Sequence, residues 1–569
     1  MKTAIFTPIS YTGGRKAPLY NVVLMGKCLN LALKDYVPII DAGWLFPEEE
    51  KDGKKVLKAS ISEVKKINPK ILFVMTSHLL IPFVIEFIKE YKRMNPDTII
   101  ILGGWAIGHF ADNLLKYLPD LDIIMRAEEE ITSVELIKCL LKKDNLNKVK
   151  NISFRGGKKI IHTLSKNTDY SLDKLPYIDY DQVLYCPSKN LKNVGLRFQT
   201  GCLGKCTFCT LPKNYSAKSP QAAVNEMLHL YKKYGETKFN IIDYNLTMNH
   251  DWMNKFCKAL KKTAVDFAWW GLSRIDTCSK EILKKMAKSG CVYLDFGVET
   301  LNPKSLLFLN KTSDPVNYIA SAKKIPLEMI KTRVLASFSL IAGLPEENLK
   351  EMEITADYAD WLKKLGFYTS IEPLYVGPGS HLWSLYLKKQ IKIAKISNDL
   401  ITKKDPKKNC SPAYFIEKYK HIPWIGFTDF MVKHNFLPQK KVENFMIKRY
   451  YSENPDVYIT NLSTVISYPE KSRGEKITLS HPAAKLTIRG ALKSIKTFEP
   501  HISIKIYLNN KLLGKIRMIN DLKFREYSIN FKKIIFEGTY FLNIEPNNND
   551  NDLYIDWVKM EREKPLWWT

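Results

Sequence analysis

The sequence predicts an α/β protein. A Rossmann-like parallel-sheet domain comes first, then a partial (β/α)6 barrel, a helical segment and a C-terminal antiparallel β-sandwich. Three observations predict this order. Short apolar runs alternate with amphipathic stretches over residues 1–150. The same alternation restarts over residues 188–385. From about residue 454 the apolar runs are short and parted by turn residues, the mark of antiparallel strands.

In the first region, strands are expected at Thr3–Phe6, Val37–Asp41, Ile71–Met75, Thr98–Leu102 and Ile123–Met125. Strands separated by helices build a parallel sheet covered on both faces. Ligands on such sheets sit beyond the carboxyl ends of the strands. Gly103-Gly104 follows a strand there and offers bare backbone. Residues 151–187 read as a connector, with a hairpin turning at Gly156-Gly157.

In the second region, strands are expected at Val194–Thr200, Lys238–Asp243, Phe267–Leu272, Val292–Gly297, Leu335–Ile341 and Thr369–Leu374. Barrel chemistry belongs at the carboxyl ends of such strands. Residues 386–453 are Lys-rich and read as helical. The last strands are expected at Lys476–Leu479, Lys485–Ile488, Ser503–Tyr507, Glu526–Phe531, Tyr540–Ile544 and Leu553–Met560. Asn509-Asn510 and the NNNDND segment mark turns between them.

The chain carries 87 Lys and Arg against 59 Asp and Glu, a formal charge of +28 over 569 residues. The excess is spread along the chain. That pattern fits solvated faces better than a nucleic-acid patch, while mildly favouring an anionic substrate. The N-terminal MKTAIFTPIS lacks a sustained apolar stretch, so no signal peptide is expected. The most apolar run, residues 71–88, contains Ser77, His78, Pro82 and Glu86, so no membrane span is expected. Seven of the ten cysteines are scattered singly, which fits a reducing cytoplasm and no disulfide framework.

The other three cysteines, Cys202, Cys206 and Cys209, sit in GCLGKCTFCTLP just after the first barrel strand. Three thiolates so spaced can wrap one iron–sulfur cluster and leave one iron open. A structural zinc site would call for a fourth ligand, and the nearest histidine is His229.

This segment resembles the cluster motif of the radical S-adenosylmethionine (SAM) superfamily, including Phe208 before the last cysteine. Later strand ends are similar to that superfamily as well: NIIDYNLT, GLSRIDTCSKEILKKMAKSGC, LDFGVET, SLIAGLPEE and PLYVGPGS. The resemblance implies a 4Fe–4S cluster whose open iron chelates SAM. It implies cleavage of SAM to a 5′-deoxyadenosyl radical, and an external electron donor such as flavodoxin or ferredoxin. It nominates Asp243, Arg274, Glu299 and Gly343 as contacts to SAM. A surface salt bridge or a helix cap is the plain alternative for the charged three.

TIIILGGWAIGHFADNLLKYLPDLDIIMRAEEEIT, followed by LDKLPYIDYD, resembles the cobalamin-binding domain that precedes the barrel in one subfamily. The resemblance implies cobalamin contacts at Gly103, Gly104, Thr76, Ser77 and Glu128. It departs from the pattern at Arg126 and Glu129, where glycines are usual, and no histidine motif nominates a ligand to cobalt. His78 and His109 are more simply read as hydrogen-bonded side chains. The C-terminal strands resemble galactose-binding-like modules in order and spacing. Trp557, Trp567 or Trp568 there could stack on a sugar. The function implied is methyl transfer to an unactivated carbon. A radical cyclisation, rearrangement or oxidation is the alternative, on a substrate that could be peptide, lipid, glycan or natural-product intermediate.

Overall fold

The computed structural model describes residues 2–8, 19–45, 53–165, 171–186, 191, 194–332, 334–342, 344, 347–374 and 376–390, and beyond them eleven strands between residues 393 and 561.

The first part runs β1 (Thr3–Thr7), α1 (Tyr20–Leu33), β2 (Ile39–Asp41), α2 (Ala42–Leu45), α3 (Gly53–Ile67), β3 (Ile71–Ser77), α4 (Ile81–Met94), β4 (Ile99–Trp105), α5 (Ala111–Tyr117), β5 (Ile123–Met125), α6 (Glu129–Leu141), β6 (Ile152–Gly156) and β7 (Lys159–His162). They build one seven-stranded sheet in the order β2-β1-β3-β4-β5-β6-β7. The first five strands are parallel, and the β6–β7 hairpin is antiparallel. Fully apolar strands buried on both faces are what a covered parallel sheet requires. Leu72, Val74, Ile100 and Leu102 are completely buried, and Phe6, Phe87 and Tyr91 stack beneath them.

The hairpin turns where expected but does not belong to a connector. It closes the open edge of the three-residue β5, so the sheet ends at His162 and not near residue 150. The Arg155 guanidinium pins it, donating to the carbonyls of Leu115 at 2.9 Å, Pro119 at 2.7 Å and Leu121. The true connector then straps the domain. Asp179 pairs with Lys27 of α1 at 2.6 Å, and the Gln182 amide donates to the Val37 carbonyl at 2.8 Å.

The second part runs β8 (Val194–Leu196), β9 (Gln199–Thr200), β10 (Ser216–Ala217), α7 (Pro220–Tyr234), β11 (Lys238–Ile241), α8 (His250–Leu260), β12 (Ala268–Arg274), α9 (Lys280–Ala287), β13 (Cys291–Glu299), α10 (Pro303–Phe308), α11 (Pro315–Thr332), β14 (Leu335–Ala342), α12 (Leu349–Lys364), β15 (Tyr368–Pro373) and α13 (His381–Leu387). Six strands form one sheet in the order β8-β11-β12-β13-β14-β15, the pattern of a partial barrel. Local signals set the helices. Ser219 caps α7 by accepting from the Ala222 amide, Pro220 starts it, and left-handed Gly235 ends it. Asn348 and Glu351 form a reciprocal capping box on α12.

Two compact units divide the chain: residues 1–269 with 374–433, and residues 270–373 with 434–569. Most of the stretch 386–453, expected to be helical, lies outside the described residues; residues 386–387 end α13. Past the end of α13 and the turn that follows it, the described residues include two short antiparallel strands, β16 (Ile393–Lys395) and β17 (Phe430–Val432).

The C-terminal strands are β18 (Val457–Thr460), β19 (Ser463–Ser467), β20 (Gly474–Leu479), β21 (Ala483–Ser494), β22 (His501–Leu508), β23 (Lys511–Ile519), β24 (Arg525–Ile535), β25 (Gly538–Pro546) and β26 (Asn551–Glu561). They form two antiparallel sheets, β18-β19-β26-β21-β24 and β20-β25-β22-β23. The six expected strands are all present within longer ones. Trp557 lies on β26 opposite Arg489, while Trp567 and Trp568 lie outside the described residues.

Candidate active site

The cysteine loop starts where β9 ends. Gly201 has a φ of +74°, and a Cβ there would lie 1.8 Å from the Asn214 carbonyl oxygen. Only glycine lets the two ends of the loop approach so closely. The Cys202 amide then donates to the Pro212 carbonyl at 2.8 Å, which closes the loop. Cys202 and Cys206 are nearly buried, at 8% and 9% exposure.

Backbone amides point at the sulfurs. The Gly204 N–H lies 3.4 Å from Cys202 Sγ, and the Leu211 N–H lies 3.5 Å from Cys209 Sγ. Such donors favour the thiolate and tune a bound cluster. Burial pushes the Cys209 thiol up; the Leu211 amide and the Lys213 ammonium oppose it. Lys213 also donates to the Gly204 carbonyl at 2.9 Å. On its other side the loop is held by α13, whose Leu382 amide donates to the Thr207 carbonyl at 3.0 Å. The donor set fits an iron–sulfur cluster: three soft thiolates, amide donors and an adjacent lysine.

Asp243 follows β11 in the same unit and is fully buried. Its Oδ1 accepts from the Phe198 and Gln199 amides at 2.8 and 2.9 Å. Among the described residues its Oδ2 has no hydrogen-bond partner. Burial pushes the carboxyl up to about 7, against the pull of those two amides and of Arg197. Asp243 therefore fastens the step between β8 and β9 that aims the cysteine loop. It lies within the wall of the site and not on its surface.

Arg274 and Glu299 come together in the other unit. Glu299 ends β13 with a φ of +70° and accepts from the Lys311 ammonium at 2.9 Å, both side chains being buried. Arg274 Nη2 contacts Asp276 Oδ2 at 2.7 Å and donates to the Lys311 carbonyl. Lys311 joins both groups. It was missed in the sequence because a lysine after Asn310 carries no motif; only its burial reveals it. Gly343 lies outside the described residues.

At the carboxyl edge of the first sheet, Thr76 and Ser77 of β3 stand beside Gly104 and Trp105 of β4. The glycines serve the sheet itself. A Cβ on Gly104, whose φ is +116°, would lie 1.8 Å from the Thr76 carbonyl, and one on Gly103 would meet Met125 Cε at 2.9 Å. Glu128 is left-handed at the start of α6. Trp105 is 49% exposed, with His78 edge-on at 4.9 Å. Burial and nearby His109 push His78 down to about 4, so it is neutral. His109 packs on the backbone of Gly379, where a Cβ would lie 2.1 Å from Nε2. An exposed aromatic at a strand end, beside hydroxyls and a neutral imidazole, fits a large planar ligand.

Residues 196–359 match the family model of the Radical SAM superfamily. That segment is therefore a radical SAM domain. The chain is 26% identical over 333 residues to an uncharacterized methyltransferase of Pyrococcus horikoshii, covering 56% of this chain and 70% of that protein. It is 27% identical over 317 residues to an anaerobic magnesium-protoporphyrin IX monomethyl ester cyclase of Synechocystis, covering 54% of this chain and 60% of that protein. In fold it is similar to the radical SAM methyltransferase TsrM of Kitasatospora setae, solved with cobalamin and a [4Fe-4S] cluster bound. There the TM-score is 0.58 at 12% identity, over 80% of this chain and 90% of that one. The cobalamin-dependent radical SAM enzyme OxsB gives a TM-score of 0.53 at 14% identity, over 68% of this chain and 56% of that one. Among the described residues, no helix is long and apolar enough to cross a membrane.

Proposed function

We propose that this protein is a cobalamin-dependent radical SAM enzyme that transfers a methyl group to an unactivated carbon. The observation that carries the reading is the closed cysteine loop, with amide donors on its sulfurs, in a fold similar over 80% of the chain to a methyltransferase. Cys202, Cys206 and Cys209 would hold the cluster, and the edge bearing Thr76, Ser77, Trp105 and Glu128 would hold cobalamin. The cofactors supply the radical and the methyl group; the protein supplies position and water exclusion. Asp243 aims the cysteine loop. Arg274, Glu299 and Gly343 are the proposed SAM contacts. Electrons would come from a flavodoxin- or ferredoxin-type donor in the cytoplasm. The C-terminal strands would form a galactose-binding-like recognition module.

A second reading is radical cyclisation without methyl transfer, favoured by the similarity to anaerobic cyclases. Anaerobic protein reconstituted with iron, sulfide and hydroxocobalamin separates the two. Iron near four per chain, retained cobalt, and S-adenosylhomocysteine beside 5′-deoxyadenosine support methyl transfer. 5′-Deoxyadenosine alone supports the second reading. Turnover of SAM that survives Cys206→Ala refutes both.

A further inference from the structure

β/α barrels normally fill their interior with layers of branched apolar side chains. Strands β13 to β15 are apolar on one face only. Val292, Leu294, Phe296 and Val298 are buried, and Phe296 stacks on Phe338 of β14. Side chains alternate along a strand, so the intervening residues share the other face. The register places them in two rows. Asp295 lies beside Ser337 and Tyr368; Gly297 lies beside Ser339 and Ser370. This face is polar and partly open: Tyr368 is 37% exposed, Ser339 is exposed, Asp295, Gly297 and Ser370 are half-buried, and Tyr293 and Ser337 are buried.

Asp295 is the centre of the face. Its Oδ1 accepts from the Tyr293 hydroxyl at 2.9 Å. Among the described residues no lysine or arginine pairs with it, and no charge compensates its partial burial, which raises its pKa. Lys311 and Arg274, the basic groups of this unit discussed above, are already engaged with Glu299 and Asp276. The Ser370 hydroxyl donates to that of Ser339 at 3.3 Å, a long contact that a better partner would replace. A half-buried carboxylate without a cation is costly unless a ligand supplies one. Neighbouring hydroxyls suit a ligand with hydroxyls of its own, and the exposed Tyr368 ring suits the apolar face of a saturated ring.

We propose that this face recognises the substrate, and that the substrate class is a hydroxylated amine, an amino sugar or aminocyclitol. The positive net charge of the chain pointed to an anion; the local chemistry of this face points the other way. The proposal deepens the reading of a radical SAM enzyme and rests on it.

Saturation-transfer NMR on the reconstituted full chain tests it with three probes: glucosamine, gluconate and cyclohexylacetate. Glucosamine should bind the wild type best. Asp295→Asn should weaken it at least about tenfold, the effect of losing one charged hydrogen bond. Ser339→Val, which keeps the carboxylate, should weaken it less. Both variants should keep wild-type iron content and uncoupled 5′-deoxyadenosine formation. Equal binding of the three probes, preference for either acid, or glucosamine binding unchanged in Asp295→Asn would overturn the proposal. A wild type that binds glucosamine but makes no 5′-deoxyadenosine would instead sink the radical reading.

Discussion

Replacing Asp243 by Asn tests whether that carboxyl carries a proton in the folded protein. Burial raises it from an ordinary 3.8 to about 7. A shift of about three units corresponds to about 4 kcal/mol at 1.36 kcal/mol per unit. The folded state therefore holds this proton more tightly than the unfolded chain. The stability it brings is fully present below the unfolded pKa and is lost as pH rises to about 7, after which the curve is flat. Asn mimics the neutral acid, since its amide oxygen can accept from the Phe198 and Gln199 amides as Oδ1 does. The variant should thus gain on the wild type by about 1.4 kcal/mol per pH unit between pH 5 and 7, and by nothing more above that. Hydrogen exchange at Phe198 and Gln199 reads this directly. Wild type and variant are compared at the same pH, so intrinsic exchange rates cancel. The protection ratio should rise about tenfold per pH unit across the window. A ratio that stays constant from pH 5 to 8 would refute a protonated Asp243.

Three further outcomes are expected. Gly201→Ala forces a Cβ against the Asn214 carbonyl and should abolish iron retention although all three cysteines remain, measured as iron per chain after anaerobic reconstitution. Gly104→Ala should disrupt the β3–β4 edge, costing about 1–3 kcal/mol for the left-handed backbone alone, and should lower cobalamin retention while leaving iron unchanged. Lys218 and Glu226 form a buried ion pair, so Lys218→Met should cost about 3–5 kcal/mol in denaturant unfolding, and the double variant with Glu226→Leu should recover most of it.

Alternating apolar runs made the strand order legible, because a parallel sheet buried on both faces demands them. Ile123–Met125 was read to the residue, and the hairpin at Gly156-Gly157 was found. Its allegiance was not, since nothing local says which sheet edge needs covering. The cysteine loop was legible because three thiolates in eight residues have few other uses. Asp243 and Glu299 were found at strand ends, yet their partners were not. One serves two backbone amides; the other meets Lys311, which no local motif announces and only its burial reveals. Gly103 and Gly104 were read for a ligand's approach, and the sequence does not show that the neighbouring strand and Met125 crowd them as well. A glycine announces crowding but not what crowds it.

The hydrogen bond between the Leu382 amide and the Thr207 carbonyl bears on how the protein is made. A ribosome releases the three cysteines long before it releases α13. Contacts between segments so far apart in sequence form late, after the intervening strands have folded. The nascent loop must therefore wait with its thiols unsupported on one side. Iron delivery is best timed after residue 382 has emerged, and shortening the chain ahead of α13 should produce a protein that takes up its cluster poorly even though every cysteine is in place.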